Sequence, residues 1–150
     1  MGVDSKLNIF PALAFVDIET TGSHFERDRI TEIGIKTLDN HEIHVWESLI
    51  NPQTFIPQNI QRLTGITPQM VSNEPSFEDL ASEIKEELEG KIFVAHNARF
   101  DYGFIKASFK RLGIDFKPKV LCTVKLSRLL FPNQARHNLD TIIREHGLSV

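Results

Sequence analysis

Two carboxylates close an otherwise apolar segment near the start of the chain. Asp17 and Glu19 stand one residue apart at the end of the segment Ala12–Ile18. Because successive side chains of a β-strand point to opposite faces, both carboxylates are predicted on one face at the end of a strand. A solvated strand end accounts for such a pair. A divalent cation accounts for it too, and carboxylate oxygens favour Mg²⁺ or Mn²⁺ over zinc.

Three small residues, Thr20, Thr21 and Gly22, follow directly. Residues of this size, and a glycine above all, let the backbone approach a ligand closely. They therefore favour a ligand site over a merely solvated strand end.

A third carboxylate, Asp101, follows a second apolar strand that ends at Ala95. His96 and Asn97 form the connection, and Asp101 then falls in the first turn of a predicted helix. Attraction to the positive end of the helix dipole would by itself explain an acid there. Together with Asp17 and Glu19, however, it predicts three acids that converge at one edge of a sheet.

Hydrophobic periodicity predicts the elements that hold these residues. The predicted strands are Ala12–Ile18, Ile30–Leu38, Glu42–Ile50, Ile92–Ala95 and Val120–Cys122. The predicted helices are Pro57–Leu63, Ser76–Glu89, Phe100–Leu112, Val124–Phe131 and Leu139–His146. Three consecutive strands with short connections indicate an antiparallel meander. The later alternation of strands and helices indicates the α/β class, with helices packed on a mixed sheet.

Composition narrows the class of protein. With 150 residues, 41% hydrophobic and 25% charged, the chain is typical of one globular domain and too polar for a membrane span. The single cysteine, Cys122, fits a reducing compartment, and the start MGVDSK lacks the features of a signal peptide. We therefore expect a soluble, cytoplasmic protein that does not bind membranes.

Charge is distributed unevenly along the chain. Residues 1–75 carry 5 basic and 10 acidic side chains, whereas residues 76–150 carry 12 and 10. Within the second half, residues 99–136 hold nine basic side chains against only Asp101 and Asp115. This stretch would attract an anionic polymer, although basic residues on helices also commonly just face water.

Three motifs together resemble the DEDD superfamily of 3′–5′ exonucleases. They are F-V-D-I-E-T-T-G at residues 15–22, L-T-G-I at 63–66 and H-N-A-R-F-D at 96–101. Within the superfamily, the chain is most similar to the histidine type, which includes ribonuclease T and the proofreading epsilon subunits of bacterial DNA polymerase III. The resemblance covers residues 12–150 and implies a ribonuclease H-like mixed sheet flanked by helices.

The resemblance also implies roles for individual residues. Asp17, Glu19 and Asp101 match the acids that hold two divalent ions, Mg²⁺ or Mn²⁺, at the scissile phosphate. The residues that match positions around the terminal nucleotide are Thr20, Thr21, Gly22, Leu63, Thr64, Ile66 and Phe104. Leu63, Thr64 and Ile66 match a wedge against the terminal bases, and Phe104 matches an apolar wall. His96 and Asn97 match the start of the second motif, in a supporting or a direct contact role.

A third motif of the histidine type, H-x-x-x-x-D, has no counterpart here. In the family its His is the general base and its Asp a fourth metal ligand. His137 and Asp140 lie too close together in sequence, and the pair His96 and Asp101 uses an acid of the second motif. We therefore expect residues 1–150 to be a single exonuclease domain truncated before this motif. Because general-base assistance contributes about 10²–10⁴-fold, residues 1–150 alone are expected to be weak or inactive.

Three functions remain open at this stage. The favoured one is a metal-dependent 3′–5′ exonuclease that releases nucleoside 5′-monophosphates from single-stranded or frayed DNA ends. The second trims RNA ends, and the third is a catalytically silent module that binds nucleic acid or a polymerase. Retention of all three acids argues against the silent module. Expected partners are DNA or RNA 3′ ends, and a DNA polymerase or another nuclease domain.

Overall fold

A computed structural model describes residues 10–150 of the chain. Its strands form one sheet in the order β3-β2-β1-β4-β5. The bounds of these strands are β1 Leu13–Thr20, β2 Ile30–Asp39, β3 Glu42–Leu49, β4 Ile92–Ala95 and β5 Val120–Cys122. The helices are α1 Gln58–Thr64, α2 Pro68–Val71, α3 Phe77–Leu88, α4 Ala98–Arg111, α5 Thr123–Leu130 and α6 Leu139–His146.

The pairing confirms the predicted meander and the mixed sheet. Strands β1, β2 and β3 pair antiparallel, whereas β4 pairs parallel to both β1 and β5. Asn40 and His41 both adopt positive φ between β2 and β3, as a tight two-residue hairpin turn requires. The central strand β1 thus has an antiparallel neighbour on one side and a parallel neighbour on the other.

One face of β1 forms the core with helices α3 and α4. Ala14, Val16 and Ile18 are buried there, beside Ile33 and Ile35 of β2. The opposite, odd-numbered face carries Phe15, Asp17 and Glu19, of which Phe15 and Asp17 are exposed. The alternation of β1 therefore sends its carboxylates away from the core.

The structure differs from the predicted elements at several boundaries and by one additional helix. Strand β1 runs two residues beyond the predicted end, because Thr20 still pairs with Ile30 across an irregularity in the ladder. The short helix α2 was not predicted, although Thr67 caps it and Pro68 occupies its first turn.

No helix within residues 10–150 has both the length and the apolar character that crossing a membrane requires. Cys122 is a free, half-buried thiol at the start of α5.

Candidate active site

The three predicted acids lie at one edge of the sheet. Strands β1 and β4 run parallel, so their carboxyl ends meet at the same edge. Asp17 and Glu19 end β1, and Asp101 lies in the first turn of α4, which begins three residues after β4 ends. Asp17 is exposed and Glu19 half-buried, whereas Asp101 retains only 5% of its accessible surface.

Burial governs the charge state of Asp101. The pKa of its carboxyl is raised from 3.8 to about 7, chiefly by desolvation and also by the negative charges of Asp17 and Glu19. Hydrogen bonds from the backbone N–H groups of Asp101 itself and of Ile18 lower this pKa and offset part of the rise. Since a carboxylate 5% exposed is costly without a positive partner, this site favours either a proton or a cation.

Glu19 belongs to the same electrostatic cluster. Burial raises the pKa of its carboxyl, and repulsion from Asp17 and Glu32 adds to the effect. Glu32 was not among the predicted site residues. Glu32 lies directly opposite Glu19 in the β1–β2 pair. The antiparallel pairing of these strands was predicted, but the register that places the two acids opposite each other was not.

A cleft of about 470 Å³ opens beside Glu19. One wall is formed by Thr20 at the end of β1 and by Thr21 and Gly22 after it. Helix α1 contributes Leu63 and Thr64 to another wall. Leu63 is 80% exposed and gives the cleft an apolar surface. The lining residues that sequence reasoning missed include His24, Arg27 and Phe100.

Two predicted wall residues lie elsewhere. Phe104 is fully buried and packs in the core, where its ring contacts those of Phe25 and Phe100. Phe100 lines the cleft instead, and Phe104 packs against its ring from the core side. Helix α4 therefore directs Phe100 toward the cleft and Phe104 into the core. Ile66 is 3% exposed and packs with Ile56 in a small cluster instead of lining the cleft.

The small residues at the end of β1 and just after it form hydrogen bonds with nearby backbone groups. The Thr20 hydroxyl donates to the carbonyl of Gly22 at 2.6 Å, and the Thr21 hydroxyl accepts the backbone N–H of Arg29 at 3.0 Å. A Cβ atom on Gly22 would overlap the carboxylate of Asp28, so a glycine at this position leaves the space that the Asp28 side chain occupies. These hydroxyls are thus engaged in shaping the cleft wall.

His96 and Asn97 occupy the connection between β4 and α4. His96 is half-buried, and its Nδ1 lies 2.9 Å from the Thr123 hydroxyl. Asn97 is exposed and adopts the left-handed conformation, with φ 65°, at the residue before α4. Neither residue lines the cleft, so both shape the turn that delivers Asp101.

The donor chemistry fits a hard divalent cation. Asp17, Glu19 and Asp101 offer only carboxylate oxygens, and none of them forms an ion pair within the described residues. Across residues 10–150, however, no three His, Cys, Asp or Glu side chains converge closely enough to hold one ion as they stand. Binding would therefore require the carboxylates, which repel one another, to rotate toward the ion.

Comparison with known proteins agrees with this geometry. The mixed five-stranded sheet flanked by helices matches the ribonuclease H-like exonuclease fold, which confirms the predicted fold. The family model of RNase T exonucleases matches residues 14–150. The chain therefore belongs to this exonuclease family.

Individual relatives are similar over most of the chain. The 3′-5′ exonuclease DinG of Staphylococcus saprophyticus is 39% identical over 140 residues, which are 92% of this chain and 16% of that protein. DinG of Staphylococcus aureus is 37% identical over 139 residues, 91% of this chain and again 16% of the relative. The chain thus spans about a sixth of the length of these relatives.

Solved structures share the fold. Exonuclease X in complex with 5′ overhanging duplex DNA superposes with a TM-score of 0.74 at 25% identity, over 92% of this chain and 75% of the other. Escherichia coli Exonuclease I in complex with a dA16 oligonucleotide gives a TM-score of 0.79 at 18% identity, over 94% of this chain and 37% of the other. At that identity the second match shows the fold alone.

Proposed function

We propose that this protein is a metal-dependent 3′–5′ exonuclease that releases nucleoside 5′-monophosphates from DNA ends. The observation that carries the proposal is the position of Asp17, Glu19 and Asp101 at one sheet edge, beside a cleft of about 470 Å³. Membership of an exonuclease family supports it, as do relatives named 3′-5′ exonuclease DinG. DNA is favoured over RNA because Exonuclease X, at 25% identity, has been solved with 5′ overhanging duplex DNA.

The proposed roles follow from the positions of the side chains. Asp17, Glu19 and Asp101 would hold two divalent ions, Mg²⁺ or Mn²⁺, and Asp101 would release its proton as they bind. Bound ions of this kind help to generate hydroxide and stabilise the leaving 3′ oxygen. The terminal nucleoside would occupy the cleft, with apolar surface from Leu63 on one wall and Phe100 on another.

The proposal places residues 1–150 in a single exonuclease domain whose general base and fourth acid, H-x-x-x-x-D, lie outside them. It rests on the lack of that pattern in residues 1–150. Expected partners are single-stranded or frayed 3′ ends, and the proposal includes association with a DNA polymerase or fusion to another enzyme domain. A cytoplasmic setting is supported by the single free thiol of Cys122.

An Asp17→Ala variant tests the proposed site. Mn²⁺ binding to residues 1–150 would be measured by electron paramagnetic resonance, and release of dTMP from a 3′-labelled oligothymidylate would be measured in the full-length polypeptide. We expect the variant to lose both, because an exposed strand-end carboxylate contributes to metal binding far more than to folding.

Asp39→Ala is the matched control, since Asp39 is an exposed acid at the other end of the same sheet. It should keep Mn²⁺ binding and turnover, and thermal unfolding should be similar for both variants. A wild-type rate in Asp17→Ala would show that the site is assigned wrongly.

A further inference from the structure

One wall of the cleft is formed by the segment 21–29, here called the cleft loop. It links β1 to β2, and six of its residues line the cleft: Thr21, Gly22, Ser23, His24, Arg27 and Asp28. Loops of this exposure are commonly mobile. This one is instead held by hydrogen bonds from two arginines.

The first arginine closes the cleft loop on itself. Nη1 of Arg29 donates to three consecutive carbonyls, those of Glu26 at 3.1 Å, Arg27 at 2.7 Å and Asp28 at 3.1 Å. The carboxylate of Asp28 in turn accepts the backbone N–H of His24 at 2.9 Å. The carbonyls of this turn therefore point to one guanidinium.

The second arginine reaches the loop from the last turn of α4. Nη2 of Arg111 donates to the carbonyls of Phe25 at 2.5 Å and Glu26 at 3.2 Å, across 86 and 85 residues of sequence. The Glu26 carbonyl thus accepts from both arginines. Hydrogen bonds from a charged donor contribute more than neutral ones.

An aromatic contact joins the same two elements. The ring of Phe25 meets that of Phe104 edge to face, with centroids 5.1 Å apart. It lies directly over Gly103, where an added Cβ would come within 2.7 Å of the ring. Helix α4 therefore delivers Asp101 with its first turn, receives Phe25 in its middle and holds the loop backbone with its last turn.

Two guanidiniums on one carbonyl repel each other. Burial lowers the pKa of Arg111, and the nearby charge of Arg29 lowers it further. Within residues 10–150 neither guanidinium has a carboxylate within 4.0 Å to offset this repulsion. Both guanidiniums therefore contact the loop through its backbone carbonyls, and these contacts are not a by-product of ion pairing.

We infer that Arg111 is a positioning residue for nucleotide binding. It holds the cleft loop in the shape that receives the terminal nucleotide, so that little further ordering is needed when the nucleotide binds. The inference rests on the proposed function, because it takes the cleft to be the nucleotide site. It concerns only the loop wall, and the carboxylates at the sheet edge do not depend on it.

The test compares Arg111→Ala and Arg111→Lys with Lys110→Ala in residues 1–150. Lys110 is an exposed cation in the same helical turn, and its side chain makes no hydrogen bond within the described residues, so it controls for lost charge. Three quantities are measured: hydrogen exchange of the amides at 22–28, the Kd for dTMP with Mn²⁺ present, and the Kd for Mn²⁺ alone.

Arg111→Ala should speed exchange at residues 22–28 and weaken dTMP binding about three- to tenfold, as expected when one loop must be ordered on binding. The Kd for Mn²⁺ should stay within about twofold, because the carboxylates are untouched. Arg111→Lys should recover part of the dTMP affinity, since its ammonium still donates to a carbonyl. Lys110→Ala should match the wild type in all three measurements.

Two results would overturn the inference while leaving the proposed function standing. One is unchanged exchange at residues 22–28 in Arg111→Ala, and the other is an equal loss of dTMP affinity in Lys110→Ala, which would indicate general charge attraction. A wild-type protein that binds Mn²⁺ but no dTMP would instead contradict the proposed function. Hydrogen exchange would still decide whether Arg111 holds the loop.

Discussion

Helices α3 and α4 both carry an aspartate in their first turn, and the pKa values of the two carboxyl groups are shifted in opposite directions. At α3, Asp79 accepts the backbone N–H and the hydroxyl of Ser76, each at 2.8 Å, and these bonds lower the pKa of the Asp79 carboxyl. At α4, burial and two neighbouring carboxylates raise the pKa of Asp101 to about 7. The same residue type at a similar helical position is therefore a helix cap in α3 and, in α4, an acid whose ionisation is disfavoured.

The difference between the two helix starts separates local from tertiary causes. Asp79 is stabilised by a partner three residues away, so any exposed helix with that sequence would reproduce its environment. The surroundings of Asp101 come from β1, whose acids lie more than 80 residues earlier in the chain. Carboxyl groups whose ionised form is destabilised by burial and by neighbouring charges are found most often at functional sites.

The largest expected effect comes from Asp101→Asn. It should weaken Mn²⁺ binding by at least about 100-fold, because even the loss of a supporting group around a metal costs about 10–100-fold. The measurement is a Mn²⁺ titration followed by electron paramagnetic resonance. Asp79→Asn is the matched control and should bind Mn²⁺ like the wild type. Equal affinities in the two variants would remove the distinction between the helices.

The second effect is a pH dependence of stability that has the opposite sign from that of an ordinary acid. Between pH 4 and 7 the folded protein keeps the Asp101 proton that the unfolded chain releases, so the free energy of unfolding should fall as pH rises. A shift from 3.8 to about 7 corresponds to about 4 kcal/mol lost by pH 8.

Urea denaturation with a chelator present, at pH 5 and pH 8, measures the larger part of this fall. Asp101→Asn should lack it, because the amide does not titrate in this range. Adding Mn²⁺ at pH 8 should stabilise the wild type and leave Asp101→Asn unchanged. Parallel pH curves for the two proteins would contradict the assigned cause.

A smaller effect is expected at α3. Ser76→Ala removes the side chain that accepts the Asp79 N–H, and should lower the free energy of unfolding by about 0.5–2 kcal/mol. Mn²⁺ affinity should not change. Because the pKa of Asp79 is lowered, the stability that it contributes is present above pH 3.8 and lost on further acidification. Urea denaturation at pH 3 and pH 6 tests this, and equal losses at the two values would argue against coupling of Ser76 and Asp79.

The smallest effect tests the extent of the acidic cluster. Glu32→Gln removes one of the charges that raise the pKa of Glu19, so that pKa should fall. Carboxyl chemical shifts in an NMR titration measure it directly. Glu42→Gln, at the far end of the same β-meander, should leave the pKa of Glu19 where it is. If both variants behave alike, Glu32 lies outside the cluster.

Sequence reasoning performed best where causes are local. The helix that starts near Ser76 and the antiparallel meander of the first three strands both follow from neighbouring residues, and the structure confirms them. It failed for Phe104 and Ile66, which match family positions around the nucleotide but pack inward here. It also missed the role of Arg111, because no pattern of spacing links an arginine to carbonyls 85 and 86 residues away.

By itself the sequence determined the strand that carries Asp17 and Glu19, the helix that carries Asp101, and the exonuclease family to which the chain belongs. Periodicity and motif spacing are sufficient for these features because each depends on residues close together in the chain. Only the tertiary structure decided the charge state of Asp101, the neighbourhood of Glu32 and the hold of Arg111 on the cleft loop. Each depends on burial and on distances between remote segments, and these exist only once β1, β2 and α4 have packed together.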